Sequence, residues 1–410
     1  MELRPSRWTM RQPPRRKIAW ERLLGLLFLF VAVLYAQQFV LPGIQAAEQA
    51  TPTPTPPPEA LLEKARQLFQ QGRMEAAIQT YQKAILLQPK QAAWHWELAR
   101  VLALLGRYEA ALTSVNNALL LNPDYPHALA LRGWLLHQLG QTPEGLAYLQ
   151  RAVDTDPNNA FAWALYAEVL ADQALYKEAG AASRKALSLD PGLLESHRAR
   201  GYVLYVTGNY EEAIAEYKTA LSLNEYIPGL HLQLGILYRI LQRYDEAIDA
   251  FLSANALNPT DPLPDYLISR TYASQGQFGA ALQYAQTAVE EAPTDPLLRG
   301  NYGVMLYKNQ RLKEAVEQLA LVVHGGTSPE GHTFRKTPLQ YGRIAEFYFT
   351  YGMALVKLNR CQEAIPVFLE ILEKVPNDEV ATFNARTGLE RCGALGGPTP
   401  GPTTPPEEGE

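Results

Sequence analysis

The stretch QQGRMEAAIQTYQKAILLQP, residues 70–89, returns as LLGRYEAALTSVNNALLLNP at 104–123, VTGNYEEAIAEYKTALSLN at 206–224 and ILQRYDEAIDAFLSANALNP at 240–259. Worked outward from it, units begin at residues 58, 92, 126, 160, 194, 228, 262 and 296, every 34 residues without slippage. A ninth begins near residue 345, after roughly fifteen extra residues. A fixed period of this size marks a solenoid, in which each unit buries its apolar face only against its neighbours.

Each unit reads as two short amphipathic helices, with apolar residues recurring three and four positions apart. A breaker separates them at Gly72, Gly106, Gly140, Gly208 and Gly276. The unit closes on Pro89, Pro123, Pro157, Pro191, Pro259, Pro293 and Pro376, which stop the second helix. The eighth position is small throughout: Ala65, Ala99, Gly133, Ala167, Gly201, Gly235, Ser269, Gly303 and Gly352. So is the twentieth: Ala77, Ala111, Gly145, Ala179, Ala213, Ala247, Ala281, Ala315 and Ala364. Small residues there let the two helices of a unit approach, and a larger one overpacks at roughly 1–3 kcal/mol. Leu68, Tyr81, Leu136, Tyr217, Phe251, Tyr272 and Phe368 fill the space beside them.

This pattern resembles the tetratricopeptide repeat (TPR) family over residues 58–378. An aromatic near the twenty-fourth position, Ala84, Ala118, Ala152, Ala186, Ala220, Ala254 and Ala288 at the twenty-seventh, and Pro at the thirty-second complete the match. Departures are Glu225 in place of Pro, and Val322 and Ile371 in place of Ala. The resemblance implies an all-α, right-handed superhelical solenoid of about nine helix-turn-helix units. Residues 379–392 read as a capping helix, with Val380 and Phe383 covering the ninth unit. In that architecture Cys361, opening the last second helix, and Cys392, closing the cap, lie together. A disulfide is one reading, favoured by export; two free, partly buried thiols are the other.

The resemblance also implies a concave groove lined by the first helices, where peptides or partner helices bind. Groove positions place Arg66, Phe69, Trp96, Arg100, Trp134, His137, Arg198, Tyr202, Tyr205, Arg239, Tyr266, Arg270, Tyr307 and Lys308 on that lining. Arg, Trp and Tyr are enriched at binding hot spots, and Arg forks onto carboxylates. The groove is therefore expected to take an extended or helical segment bearing acidic groups. On the blander reading the same residues pack against the adjacent unit or pair with Glu97 and Glu168. The family's carboxylate clamp, built of Lys and Asn, is not reproduced: Asn301 holds one such place without companions, so chaperone docking is not expected.

Charge is unevenly placed. Residues 1–57 hold seven Lys/Arg and three Asp/Glu, about +4, and the remainder sits near -9 within a net charge of -5. An acidic body argues against nucleic acid, which needs a basic face. The basic segment 1–22 precedes the uncharged LLGLLFLFVAVLYAQQFVL, residues 23–41, about long enough to cross ~30 Å of hydrocarbon. The expectation is a single-pass anchor with the N-terminus in the cytoplasm and the repeats outside the cytoplasmic membrane; the alternative is secretion after signal-peptide cleavage near Ala46. Residues 42–57 read as a Thr/Pro-rich linker and 393–410 as a disordered Pro-rich tail.

No nucleotide-binding, zinc-protease or nucleophile-elbow motif occurs, and no cofactor or metal is called for. His95, His197 and His231 recur at the fourth repeat position, a packing site. The insertion, residues 323–343 with its loop at about 325–343, carries His324, Ser328, His332, Arg335 and Lys336 and reads as a surface loop or contact patch. The expected function is a non-enzymatic, protein-binding scaffold or adaptor; the alternative is a regulatory or co-chaperone subunit of a membrane enzyme or assembly complex.

Overall fold

The computed structural model describes residues 20–40 and 56–394, and the chain divides into two units, Met1–Pro57 and Pro58–Glu410. In the first unit an α-helix spans Trp20–Tyr35, 16 residues, and passes into a π-helical turn, Ala36–Val40. Its apolar side chains stand exposed, Phe28 at 79% and Leu26 at 70%. Among the described residues no helix is long and apolar enough to cross a membrane. The transmembrane helix expected over 23–41 is therefore not found. Sixteen α-helical residues rise only about 24 Å, short of a hydrocarbon core, and the α-helix stops before the Gln37-Gln38 pair.

The second unit is a helical solenoid. First helices span Pro58–Gln70, Ala92–Leu104, Pro126–Gln138, Ala160–Asp172, Leu194–Val206, Pro228–Ile240, Pro262–Ser274, Pro296–Lys308 and Arg343–Lys357. Second helices span Met74–Leu87, Tyr108–Leu121, Thr142–Thr155, Tyr176–Leu189, Tyr210–Leu223, Tyr244–Leu257, Phe278–Glu291, Leu312–Val323 and Cys361–Lys374. The turn within each unit needs one residue at positive φ. Glycine supplies it five times, but Ala174, Gln242, Gln310 and Asn359 adopt φ of 58–61° at the same register, where a side chain is strained.

Helix pairs close on the small residues. A Cβ on Gly235 would stand 2.4 Å from the Phe251 ring, and the twentieth-position alanines are fully buried. Between units, the fourth-position side chain donates to the carbonyl six residues earlier. His95 reaches Pro89 O at 3.0 Å, Trp163 reaches Pro157 O at 2.9 Å, His197 reaches Pro191 O at 2.9 Å and Arg299 reaches Pro293 O at 2.8 Å. His231 does the same to Glu225 O at 2.8 Å, so the missing proline costs no bond. These side chains satisfy carbonyls freed where a helix ends.

Two details differ from the sequence reading, and a third decides between alternatives it left open. The insertion is not a plain loop: Gly325–Thr327 pairs antiparallel with Thr333–Arg335, so the array is not purely α. Phe334 is buried beneath the Arg299 guanidinium, 4.7 Å from its ring centroid, and the Tyr348 hydroxyl donates to Thr337 O at 2.7 Å. His324 packs edge-on against Tyr351 at 5.3 Å rather than offering a ligand. In the cap helix, Glu379–Arg391, Val380 and Phe383 do not cover the ninth unit but stand 62% and 70% exposed. Ala381, Ala385, Gly388 and Leu389 face it instead. The reason is proximity: a Cβ on Gly388 would lie 2.2 Å from the Phe368 ring, so only small residues fit there. Finally, Cys361 and Cys392 are joined by a disulfide, with Cα atoms 5.5 Å apart.

Candidate functional site

The inner surface is identified by a contact between distant units. Arg100, in unit 2, forks onto Glu195, in unit 5, with Nε–Oε1 at 2.6 Å and Nη2–Oε2 at 2.9 Å, across 95 residues. Such a contact requires the first helices to curl toward one another. A Cβ on Gly72 would likewise meet the Tyr226 ring at 2.4 Å, joining the first unit's turn to the loop after the fifth. In units 1–5 the groove is thus tightly wound and partly filled by its own side chains.

Its cations are spoken for. Arg66 forks onto Glu97 at 2.8 and 2.6 Å, with the Tyr81 hydroxyl on the same carboxylate at 3.2 Å. Arg198 forks onto Glu168 at 2.8 and 3.1 Å and lies over the Trp134 ring, whose Nε1 donates to Glu168 at 2.7 Å. His137 donates to Asp172 at 2.7 Å, and the Tyr202 hydroxyl donates to the same carboxylate. Burial pushes both Glu168 and Glu195 upward. At Glu195 the charge and hydrogen bonds of Arg100 win and hold the carboxyl below its usual range; at Glu168 burial wins and the carboxyl sits above it. The acidic partner expected for the whole groove therefore finds no free guanidinium on Arg66, Arg100 or Arg198. The aromatic lining is largely packing: Trp96 stacks edge-on with Tyr125, His127 and Phe161 at 5.0–6.1 Å, Arg100 covers Phe69 at 5.9 Å, and Tyr205 sits between Tyr202 and Tyr210.

Units 6–9 are different. Arg239 and Arg270 are half-buried, and among the described residues neither guanidinium makes a hydrogen bond, ion pair or ring contact; Arg239 Nε is buried without a partner. Their separation of 31 residues is the register that joins Arg66 to Glu97. Tyr266 lies buried within the electrostatic reach of Arg343 and Arg239 and also of Glu346 and Asp295. Further along, Lys308 is exposed beside the Phe278 ring at 5.7 Å, and Lys357 covers Tyr307 at 4.5 Å. Asn301 is buried and donates to Ser269 at 3.0 Å, so it holds two units together rather than a ligand.

The sequence reading named the arginines and two of their partners, Glu97 and Glu168, but not Glu195 or Asp172. Acidic residues at the second and thirteenth repeat positions were the available signal.

With this architecture in view, comparison with known proteins fixes the class. Models of the tetratricopeptide repeat match residues 68–135, 126–169, 198–262 and 272–335, together more than half of the chain. The chain belongs to the tetratricopeptide repeat family. Among solved structures it is similar to the APC/C hetero-tetramer Cut9-Hcn1, with 16% identity, 81% of this chain and 76% of that one covered, and TM-score 0.56. It is similar to the human IFIT1 dimer with PPP-AAAA, with 18% identity, 81% of each chain covered and TM-score 0.53. A Thermus thermophilus TPR protein, TTC0263, aligns with 44% of this chain and 98% of its own at 24% identity and TM-score 0.40. No curated protein matches the chain in sequence. The likenesses to the Cut9-Hcn1 and IFIT1 structures support the shared fold, and proteins of this fold generally mediate protein–protein interaction.

Proposed function

We propose that this protein is a scaffold or adaptor that binds an extended, acidic polypeptide segment along the inner face of units 6–9. One observation carries the reading: Arg239 and Arg270 are half-buried, and among the described residues neither guanidinium is hydrogen-bonded or ion-paired to a carboxylate. A guanidinium held partly out of water is costly unless something pairs with it, and a planar fork matches a carboxylate. The acidic net charge of the chain, -5, disfavours a nucleic-acid partner. Lys308 and Lys357 extend the cationic track toward the cap.

Placement at the outer side of the cytoplasmic membrane is part of the same proposal. It is supported by the arginine-rich segment ahead of residues 23–41 and by the bonded pair Cys361–Cys392, since disulfides persist in oxidising compartments.

The test is affinity purification with the wild type and an Arg239→Ala/Arg270→Ala variant, together with a labelled Glu-rich peptide of about a dozen residues. The expected result is salt-sensitive peptide binding that falls roughly tenfold or more in the variant, as for lost charged hydrogen bonds. Unchanged recovery by a variant with a wild-type melting curve refutes the reading, as does preference for a single-stranded oligonucleotide over the peptide.

A further inference from the structure

The tight winding of units 2–7 forms a cavity of roughly 390 Å³ that opens to solvent, within the range of small-ligand pockets. We propose that it receives a single ammonium or guanidinium group, the side chain of a lysine or arginine on a partner polypeptide. Units 6 and 7, which carry Arg239 and Arg270, contribute to its wall, but neither arginine lines it, and the inference stands whether or not an acidic segment binds at those two residues.

The first support is an unspent hydroxyl. Tyr217 lines the cavity, is 1% exposed and makes no hydrogen bond. The repeat provides its own control. Tyr81 occupies the same twenty-fourth position in unit 1, and its hydroxyl donates to Glu97 at 3.2 Å. The residue in Glu97's register beyond Tyr217 is Gln233, which also lines the cavity and is not bonded to it. The Tyr217 hydroxyl thus opens onto the cavity with its donor and acceptor unspent within the protein, available to a group that enters.

Charge chooses the ligand class. Glu168, Asp172 and Asp261 face the cavity against one cation, Arg198, which Glu168 already holds bidentately. Asp172 accepts from Tyr202 and His137, yet a carboxylate has about four acceptor directions and two remain. Asp261 spends Oδ1 on the Leu263 amide at 3.0 Å and leaves Oδ2 free. Tyr108 and Tyr202 add aromatic rings to the lining, and aromatic rings attract cations. An anion entering here meets Asp172 and Asp261, and an apolar group leaves Tyr217, Gln233 and Asn258 unsatisfied. An ammonium or guanidinium donates to both free carboxylate edges and to the Tyr217 oxygen.

Calorimetric titration tests this with capped lysine amide, capped arginine amide and spermidine, against capped glutamine and glutamate amides. The expected result is saturable binding of a capped cationic amino acid. About tenfold weakening is expected in Asp172→Asn and Asp261→Asn, and about threefold in Tyr217→Phe, each with an unchanged melting curve. Asp261→Asn keeps the helix-capping oxygen, so loss of folding does not confuse its result. No saturable binding up to about 10 mM, the weak limit of useful affinity, overturns the proposal. So does undiminished binding in the Asp172→Asn/Asp261→Asn double variant, or tighter binding of capped glutamate. Spermidine saturating the site while neither capped amino acid binds overturns the polypeptide as its source.

Discussion

The inner faces of units 1–5 and 6–9 are built on the same helices and the same register, yet they treat arginine in opposite ways. In the first half Arg66, Arg100 and Arg198 fork onto Glu97, Glu195 and Glu168. Those carboxylates stand at the sixth, second and ninth positions of their units, with Asp172 at the thirteenth. In units 6, 7 and 8 the same four positions read Gly229, Gln233, Ile236, Ile240; Leu263, Leu267, Arg270, Ser274; and Leu297, Asn301, Val304, Lys308. None is acidic. One half therefore uses arginine as internal mortar, and the other presents it unpaired. The difference teaches that hot-spot residue types on a repeat surface carry no functional meaning until their counter-charges are located.

The comparison breaks most sharply at Glu195. It is 1% exposed and neutralises Arg100 across two intervening units. Glu195→Gln leaves a buried guanidinium uncompensated, which costs about 3–5 kcal/mol. Arg239→Ala, by contrast, removes a charge nothing compensates, and stability is expected to hold or rise slightly. Urea unfolding followed by circular dichroism measures both. Equal losses in the two variants would mean that Arg239 is paired after all. A repeat array need not unfold in one step, so the midpoint of the first transition is the quantity to compare.

Why the two halves were not told apart from sequence follows from what a period encodes. Thirty-four-residue spacing and small eighth and twentieth positions fix which helices are neighbours, and those features made the solenoid legible. They do not fix how tightly it winds. Arg100 and Glu195 are 95 residues apart, and no local pattern announces their meeting. The strained turns at Ala174, Gln242, Gln310 and Asn359 were hidden because glycine marks that position elsewhere. In the cap helix hydrophobicity pointed to Val380 and Phe383, while steric room beside Phe368 selected Ala381, Ala385 and Gly388. The hairpin at Gly325–Thr327 and Thr333–Arg335 is too short to show an alternating pattern.

The two ends of the array also differ, because only the C-terminal end is covalently tied. The disulfide between Cys361 and Cys392 closes a loop of 31 residues over the last unit, worth about 3–4 kcal/mol by the loop-entropy account. Reduction, or Cys361→Ala/Cys392→Ala, is expected to lower the unfolding midpoint of the C-terminal units while leaving units 1–5 unchanged. Hydrogen exchange resolves the two regions. Equal deprotection at both ends would show that the array unfolds as one cooperative block.

The smallest expected effect lies within the second half, in unit 7, where acid meets acid. Asp265 is 1% exposed, accepts from Asn255 Nδ2 at 3.0 Å and faces Glu291; Asp265 Oδ2 and Glu291 Oε2 are buried with no other partner. Burial, reinforced by the charges of Asp265 and Asp261, raises Glu291 to about 7 from an ordinary 4.5, so it keeps a proton and donates it to Asp265. The folded state therefore holds a proton that the unfolded state releases. The stability from this pair is complete below about pH 4.5 and is lost as pH rises through 7. Glu291→Gln keeps a donor without the titration, so its melting temperature is expected to exceed the wild type's by about 1–3 °C at pH 8 and to converge with it toward pH 5. Parallel melting curves over that range would mean that the two carboxyl groups do not share a proton, and that unit 7 of the unpaired half is insensitive to pH.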